Sequence, residues 1–257
     1  MKILLSPAKS IDFEVDVTKN TPTQPLFLSE AEYLIHKLQK LSSRQISDLM
    51  SVSKPIADLN YERFQQWQLP FTKDNSKSAA DIFTGMAYQG LDYPSLSIEE
   101  RARGQEQLRI LSGLYGVLKP LDLIQPYRLE MGTRFKITPK VKNLYLYWGD
   151  KIVNTLNAEL EQDEFPILVN CASSEYFKAA KLKEIKGKVI TPVFKDINKN
   201  GIYKVNMTFA KKARGLMTRF LITEQVDSIE KIKTFSSAGY WFCNTESTAE
   251  EFVFKRG

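Results

Sequence analysis

Histidine and cysteine are scarce in this chain. One histidine, His36, and two cysteines, Cys171 and Cys243, occur in 257 residues. Two cysteines cannot supply a disulfide framework, and one histidine with two cysteines cannot complete a four-ligand zinc site. His36 lies inside EAEYLIHKLQKL, a helical pattern, which makes it a helix-surface or packing residue rather than a catalytic base. No His- or carboxylate-rich cluster suits iron, so neither a metal nor a cofactor is expected. Long apolar runs are missing too. Phe165 to Cys171 is among the longest, far short of the roughly 20 residues that span a bilayer. MKILLSPAKS at the start has too short an apolar run for a signal peptide. A cytoplasmic protein with reduced thiols and no membrane contact is the expectation. No Gly/Ser linker, low-complexity tract or repeat divides the chain, so residues 1–257 are read as a single domain.

Charge, by contrast, is plentiful and uneven. From Tyr176 to Thr223 there are twelve basic residues against Glu184 and Asp196, a local +10 in a chain whose total is +6, so the rest carries −4. Such asymmetry suits a polyanionic or phosphorylated partner. It also suits a merely solvated basic surface.

Local patterns give a mixed α/β chain. Lys2–Leu5 is a short buried strand before the SPAK loop. Capping-box patterns at Ser29/Glu32, Ser42/Gln45 and Ser97/Glu100 open helices, and Ser53 with Pro55 opens another. The apolar run FPILVNCAS predicts a buried central strand, and SEYFKAAKLK a helix after it. KVITPVF and IYKVNMTF flank a turn at Asn200-Gly201, which predicts a hairpin. A helix covers about Ala210 to Thr223, and GYWFC and EFVFK close the chain as two strands. The fold class expected is α/β, a mixed sheet flanked by helices.

Three stretches carry candidate chemistry. In FAKKARGLMTRFLI, at 100° per residue, Lys211, Lys212, Arg214 and Arg219 share one face and the apolar residues the other. Gly215 falls within the basic face. It either admits a phosphate close to the backbone or lets another helix pack there. The second stretch, ILSGLYGVLKPLDLIQPYRLEMG from Ile110, is too apolar for an exposed linker. Gly113 and Gly116 can turn a helix sharply and aim backbone N–H groups at an anion, Pro120 can open a second helix, and Lys119, Arg128 and Arg134 are near in sequence. Helix, glycine turn, helix is the layout of a helix-hairpin-helix, although its usual Gly-apolar-Gly is one residue longer here. The alternative is a tight interhelical turn within the core. The third stretch is ILVNCASSEYFK. A strand ending at Asn170 with Cys171, Ser173, Ser174 and Glu175 beyond it is where α/β proteins place ligands. A thiol there can have a lowered pKa, or Cys171 is simply a buried apolar residue.

SPAKS at Ser6, LSGLYGVLKPLDLIQPYRLEMG from Leu111, YWGD at Tyr147, NCASSEYFK from Asn170, KKARGLMTRF from Lys211 and the FVFKR ending closely resemble the bacterial YaaA family of peroxide-stress proteins. The likeness covers almost the full chain. It implies a cytoplasmic protein that limits hydrogen-peroxide damage by lowering unincorporated iron. It also implies binding of double-stranded or branched DNA in a basic cleft, on an α/β fold with a helix-hairpin-helix-like element. Lys9, Gly113, Gly116, Lys119, Arg128, Lys211, Lys212, Arg214 and Arg219 are the candidate DNA- and phosphate-binding residues. Neither the motifs nor the family supplies a catalytic set. The alternative is an enzyme acting on a phosphorylated or nucleotide substrate at the Asn170–Glu175 loop.

Overall fold

The computed structural model describes residues 1–15 and 21–257. Its centre is an eight-stranded mixed sheet: β1 (Lys2–Leu5), β2 (Leu108–Ser112), β3 (Gly116–Leu118), β4 (Ile167–Asn170), β5 (Lys188–Ile197), β6 (Tyr203–Lys204), β7 (Trp241–Phe242) and β8 (Glu251–Arg256). The order is β7-β8-β5-β4-β1-β2-β3, with β6 paired to the far end of β5. The five inner strands run parallel, and β3, β6 and β7 are antiparallel to their neighbours. Strands β1, β2 and β4 are buried along their whole length. That explains their continuous apolar sequences, since a parallel strand covered on both faces has no solvent side to make polar.

The main helices are α1 (Leu28–Leu38), α2 (Ser43–Met50), α3 (Lys54–Gln66), α4 (Met86–Leu91), α5 (Ile98–Gln107), α6 (Leu144–Trp148), α7 (Lys151–Leu160) and α8 (Met207–Thr223). Reciprocal capping boxes at Ser42/Gln45 and Ser97/Glu100 start α2 and α5, and Ser53 starts α3 with Pro55 in its first turn. Ser29 does not cap α1. That helix begins two residues earlier than a Ser29 cap would start it, with Phe27 at its N-cap and no side-chain bond there; the Phe27 ring packs on Trp148 at 5.6 Å. One core runs through both sheet faces and the helices, from Ile3 and Leu34 to Leu221 and Phe254.

The stretch from Ile110 to Gly132 departs most from expectation. Helix α5 stops at Gln107, and Leu108–Ser112 becomes β2, paired in parallel to β1 with Ile3 opposite Leu108. Gly113 to Gly116 then turns β2 into β3 as a β-hairpin, Ser112 opposite Gly116. There is no helix-hairpin-helix here. Pro120 lies in a turn and opens no helix. Its glycines serve packing. A Cβ on Gly113 would fall 2.3 Å from the Leu129 carbonyl oxygen, and Gly116, at φ +70°, holds the Trp148 ring where a Cβ would stand. The core-turn alternative is right that the turn is buried, but it joins two strands and not two helices. SEYFKAAKLK also gives less helix than its pattern suggests, a single turn over Ser174–Phe177.

Candidate functional site

In chain order, β1 is followed by β2 on one side of it and then by β4 on the other. The order reverses between β1 and β4, and the crevice outside the carboxyl ends of two such strands is where open α/β sheets take ligands. Three loops meet there. Ser6, just past β1, accepts a hydrogen bond at Oγ from the Ser173 N–H (2.9 Å) and lies 3.3 Å from Ser173 Oγ. Tyr88 of α4 donates to the Ser6 carbonyl at 3.1 Å. Glu130 holds Lys9 at 2.5 Å and Arg128 at 3.0 Å, and the Gly132 N–H donates to Glu175 Oε1 at 2.9 Å. Beside these loops opens a cleft of about 600 Å³, walled by Asp48, Ser51, Glu130, Thr133, Arg134 and Glu175 among others.

Cys171 stands at the end of β4 but is not an activated thiol. It is 1% exposed, and burial pushes its pKa up to about 12 despite a hydrogen bond with Thr218 and the charge of Arg214 nearby. Arg214 is half-buried, and desolvation lowers its own pKa. Asn170 folds back on the loop, accepting from the Ala172 N–H at 3.2 Å.

The basic surface lies elsewhere on the sheet. Residues 197–223 contain no Asp or Glu. Lys199 and Lys204 of the β5–β6 hairpin and Lys211 and Lys212 of α8 are exposed, and none has an ion-pair partner among the described residues. Other lysines of the basic segment are neutralised locally: Lys181 by Asp150, Lys186 by Glu161 and Lys195 by Glu246. The Asn206 side chain caps α8 by accepting from the Thr208 and Phe209 N–H groups. Ala210, Ala213, Met217, Leu221 and Ile222 anchor the opposite face.

Gly215 admits a helix and no phosphate. A Cβ there would fall 1.8 Å from the Ala87 carbonyl oxygen, and one on Gly90 would fall 2.2 Å from that of Lys212. Two glycines thus let α4 and α8 cross backbone to backbone. Arg219 fastens the same crossing, donating to the Leu91 and Asp92 carbonyls and to Ser95 Oγ at 2.9 Å each.

The nine candidate residues therefore occupy different surroundings. Lys9 and Arg128 share Glu130 at the strand-end crevice. Gly113 and Gly116 are buried in the β2–β3 hairpin. Lys119 lines a separate cleft with Arg109, Asp122 and Glu159. Arg214 faces Cys171, Arg219 ties down α4, and Lys211 and Lys212 stand free. Lys199 and Lys204, also exposed, precede these last two in the chain, on the β5–β6 hairpin. The trace they leave in the sequence is the 27-residue stretch without a carboxylate.

Comparison of the chain with known proteins points to one family. Residues 1–246 match the family model described as peroxide stress protein YaaA. The chain belongs to the YaaA family. A UPF0246 protein of Shewanella woodyi is 50% identical over 256 residues, covering 100% of this chain and 99% of the relative. One from Aliivibrio fischeri MJ11 is 50% identical over 256 residues, covering 100% and 98%. One from Cellvibrio japonicus is 49% identical over 253 residues, covering 98% and 97%. A role in peroxide stress comes with the family. Among the described residues no helix is long and apolar enough to cross a membrane.

Proposed function

We propose that this peroxide-stress protein protects by binding DNA, through phosphate contacts from the β5–β6 hairpin and the first half of α8. The supporting observation is the set of four exposed lysines, Lys199, Lys204, Lys211 and Lys212, in a stretch with no carboxylate to neutralise them. On α8 no Asn or Gln lies near Lys211 and Lys212 to read a base edge, and long cations of that kind suit backbone contacts, whose energy comes mainly from counterion release. Limiting unincorporated iron, which the family resemblance implies, belongs to the same protective role. No group of three or more His, Cys, Asp or Glu is placed to hold a metal ion among the described residues.

The test is duplex binding by fluorescence anisotropy across a salt series. Lys204→Ala/Lys211→Ala/Lys212→Ala should weaken unrelated duplexes about equally. It should flatten the slope of log K against log salt by roughly 0.9 for each phosphate that is no longer neutralised. A triple variant that binds like the parent at every salt concentration would reject this surface.

A second reading is a phosphorylated or nucleotide ligand at the crevice between β1 and β4, favoured by the three loops that converge on Ser6, Ser173 and Glu130. Saturable stabilisation by a nucleotide in a melting assay, lost in Glu175→Gln, supports it. A flat response to a nucleotide panel counts against it.

A further inference from the structure

Strand β5 alternates. Ile190, Pro192, Phe194 and Asp196 are buried toward α8, while Val189, Thr191, Val193 and Lys195 are half-exposed on the other face and Ile197 is exposed. At the hairpin end of that open face stand two aromatic rings. Trp241 is opposite Lys255 across the β7–β8 pair, and Tyr203 of β6 reaches over to donate to the Gly257 carbonyl at 2.8 Å. The Lys255 ammonium lies between them, 4.5 Å from the Tyr203 ring centroid and 5.9 Å from that of Trp241. Trp241 is 46% exposed, whereas the other two tryptophans, Trp67 and Trp148, are at 5% and 0%.

An indole left half in water beside a fixed cation is surface that folding did not need to bury. Tyr203 shares its hairpin with the unpaired Lys199 and Lys204, Lys204 lying opposite Asp196 on the other face of the strand. A partner for this corner must offer flat aromatic faces on a negatively charged chain. Duplex DNA offers the charge but keeps its bases stacked on one another. Unpaired nucleotides offer both, and sheet-borne aromatics beside basic grooves are how single strands are held. An anionic bilayer suits the face less well. The Glu246 carboxylate, bound by Lys195 and Lys255, sits on it and would be pressed into a flat headgroup layer, whereas a single strand can lay bases on the rings with its phosphates turned away from that carboxylate.

We propose that Trp241 and Tyr203 form a stacking platform for unpaired nucleotides, at the base of the hairpin that carries Lys199 and Lys204. This rests on the DNA-binding reading above and extends it from the backbone to the bases. Because Trp67 and Trp148 are buried, indole quenching reports on Trp241 almost alone. Titration with a 20-nucleotide oligo-dT should quench the emission, and Trp241→Ala should abolish the quench. Trp241→Ala and Tyr203→Ala should each weaken oligo-dT roughly tenfold, the size expected for one stacked base. Both should leave a 20-base-pair duplex unaffected, and Trp241→Phe should restore most of the oligo-dT affinity. Equal weakening of duplex and oligo-dT would overturn the platform. Duplex binding with no oligo-dT quench would overturn it while leaving the phosphate surface standing. If neither oligonucleotide binds, both readings fall. If phosphatidylglycerol vesicles quench Trp241 and oligo-dT does not, the face belongs to membranes and the platform is wrong.

Discussion

Gly215→Ala sets two physical terms against each other. Replacing glycine by alanine inside a helix gains about 1 kcal/mol from backbone entropy. Here the new methyl would sit 1.8 Å from the Ala87 oxygen and 2.8 Å from the Leu91 N and the Ala87 carbonyl carbon. These are backbone atoms of α4, so no flexible side chain can move aside. Both helices must part, and Gly90 against the Lys212 carbonyl opens with them. Overpacking in a dense core costs about 1–3 kcal/mol, and more where backbone must shift. A cost of about 3–4 kcal/mol, at and just above the top of that range because backbone must shift, leaves a net loss of about 2–3 kcal/mol after the helix gain. In a chain of this size it is a fall of roughly 4–12 °C in the melting temperature. Circular dichroism at 222 nm against temperature reads it directly. The alternative role for Gly215, close approach of a phosphate, predicts the opposite pattern: a slightly higher melting temperature and weaker DNA binding. A Gly215→Ala protein that melts at or above the parental temperature would refute the backbone-to-backbone crossing.

Arg101 and Asp81 form a buried bidentate pair, both bonds 2.7 Å, with side chains 2% and 4% exposed. Arg101→Met strands the carboxylate and should cost about 3–5 kcal/mol in urea unfolding; a loss below 1 kcal/mol would contradict the burial. Asp122, buried and accepting from Thr23 Oγ1 and the Lys119 N–H, has its pKa raised to about 6, mainly by desolvation. A carboxyl raised on folding favours the folded state below its unfolded pKa, and that contribution is lost as pH rises through about 6. The stability difference between the parent and Asp122→Asn should therefore shift by about 1–3 kcal/mol toward the Asn variant from pH 4 to pH 7; a pH-independent difference would be the contrary result. Both thiols are free, and two should titrate in denaturant. In the native protein Cys243, whose pKa is lowered chiefly by its hydrogen bond with Thr245, should alkylate faster than Cys171; the reverse order would overturn the assignment of Cys171 as an inert core thiol.

What the sequence made legible was chemistry that acts within a few residues. The Ser42/Gln45 and Ser97/Glu100 boxes close through bonds between their own side chains and amides, and both formed. The Asn200-Gly201 turn did as well, with Gly201 at φ +75° and Tyr203 opposite Ile197. Leu108–Ser112 was not legible. A five-residue apolar run after a helix fits either a further helical turn or a strand, and only the open edge of β1, a hundred residues away, decides for the strand. The glycines divide in the same way. Gly201 answers to its own turn. Gly215 answers to Gly90, on a helix whose approach nothing in FAKKARGLMTRFLI records.

That division bears directly on the basic helix. Its cations are equivalent on a helical wheel, because the wheel knows only the angle about one axis. In the structure a neighbouring element sorts them. α4 takes Arg219 as a clamp and covers Gly215, the end of β4 places Cys171 beside Arg214, and only Lys211 and Lys212 remain in water. The hairpin then adds Lys199 and Lys204, which lie off the helix altogether. A polyanion would thus meet lysines from two elements, and not a helical stripe. Charge reversal at Lys204 should consequently weaken DNA binding as much as reversal at Lys211, whereas reversal at Arg219 should chiefly loosen α4 and lower the melting temperature.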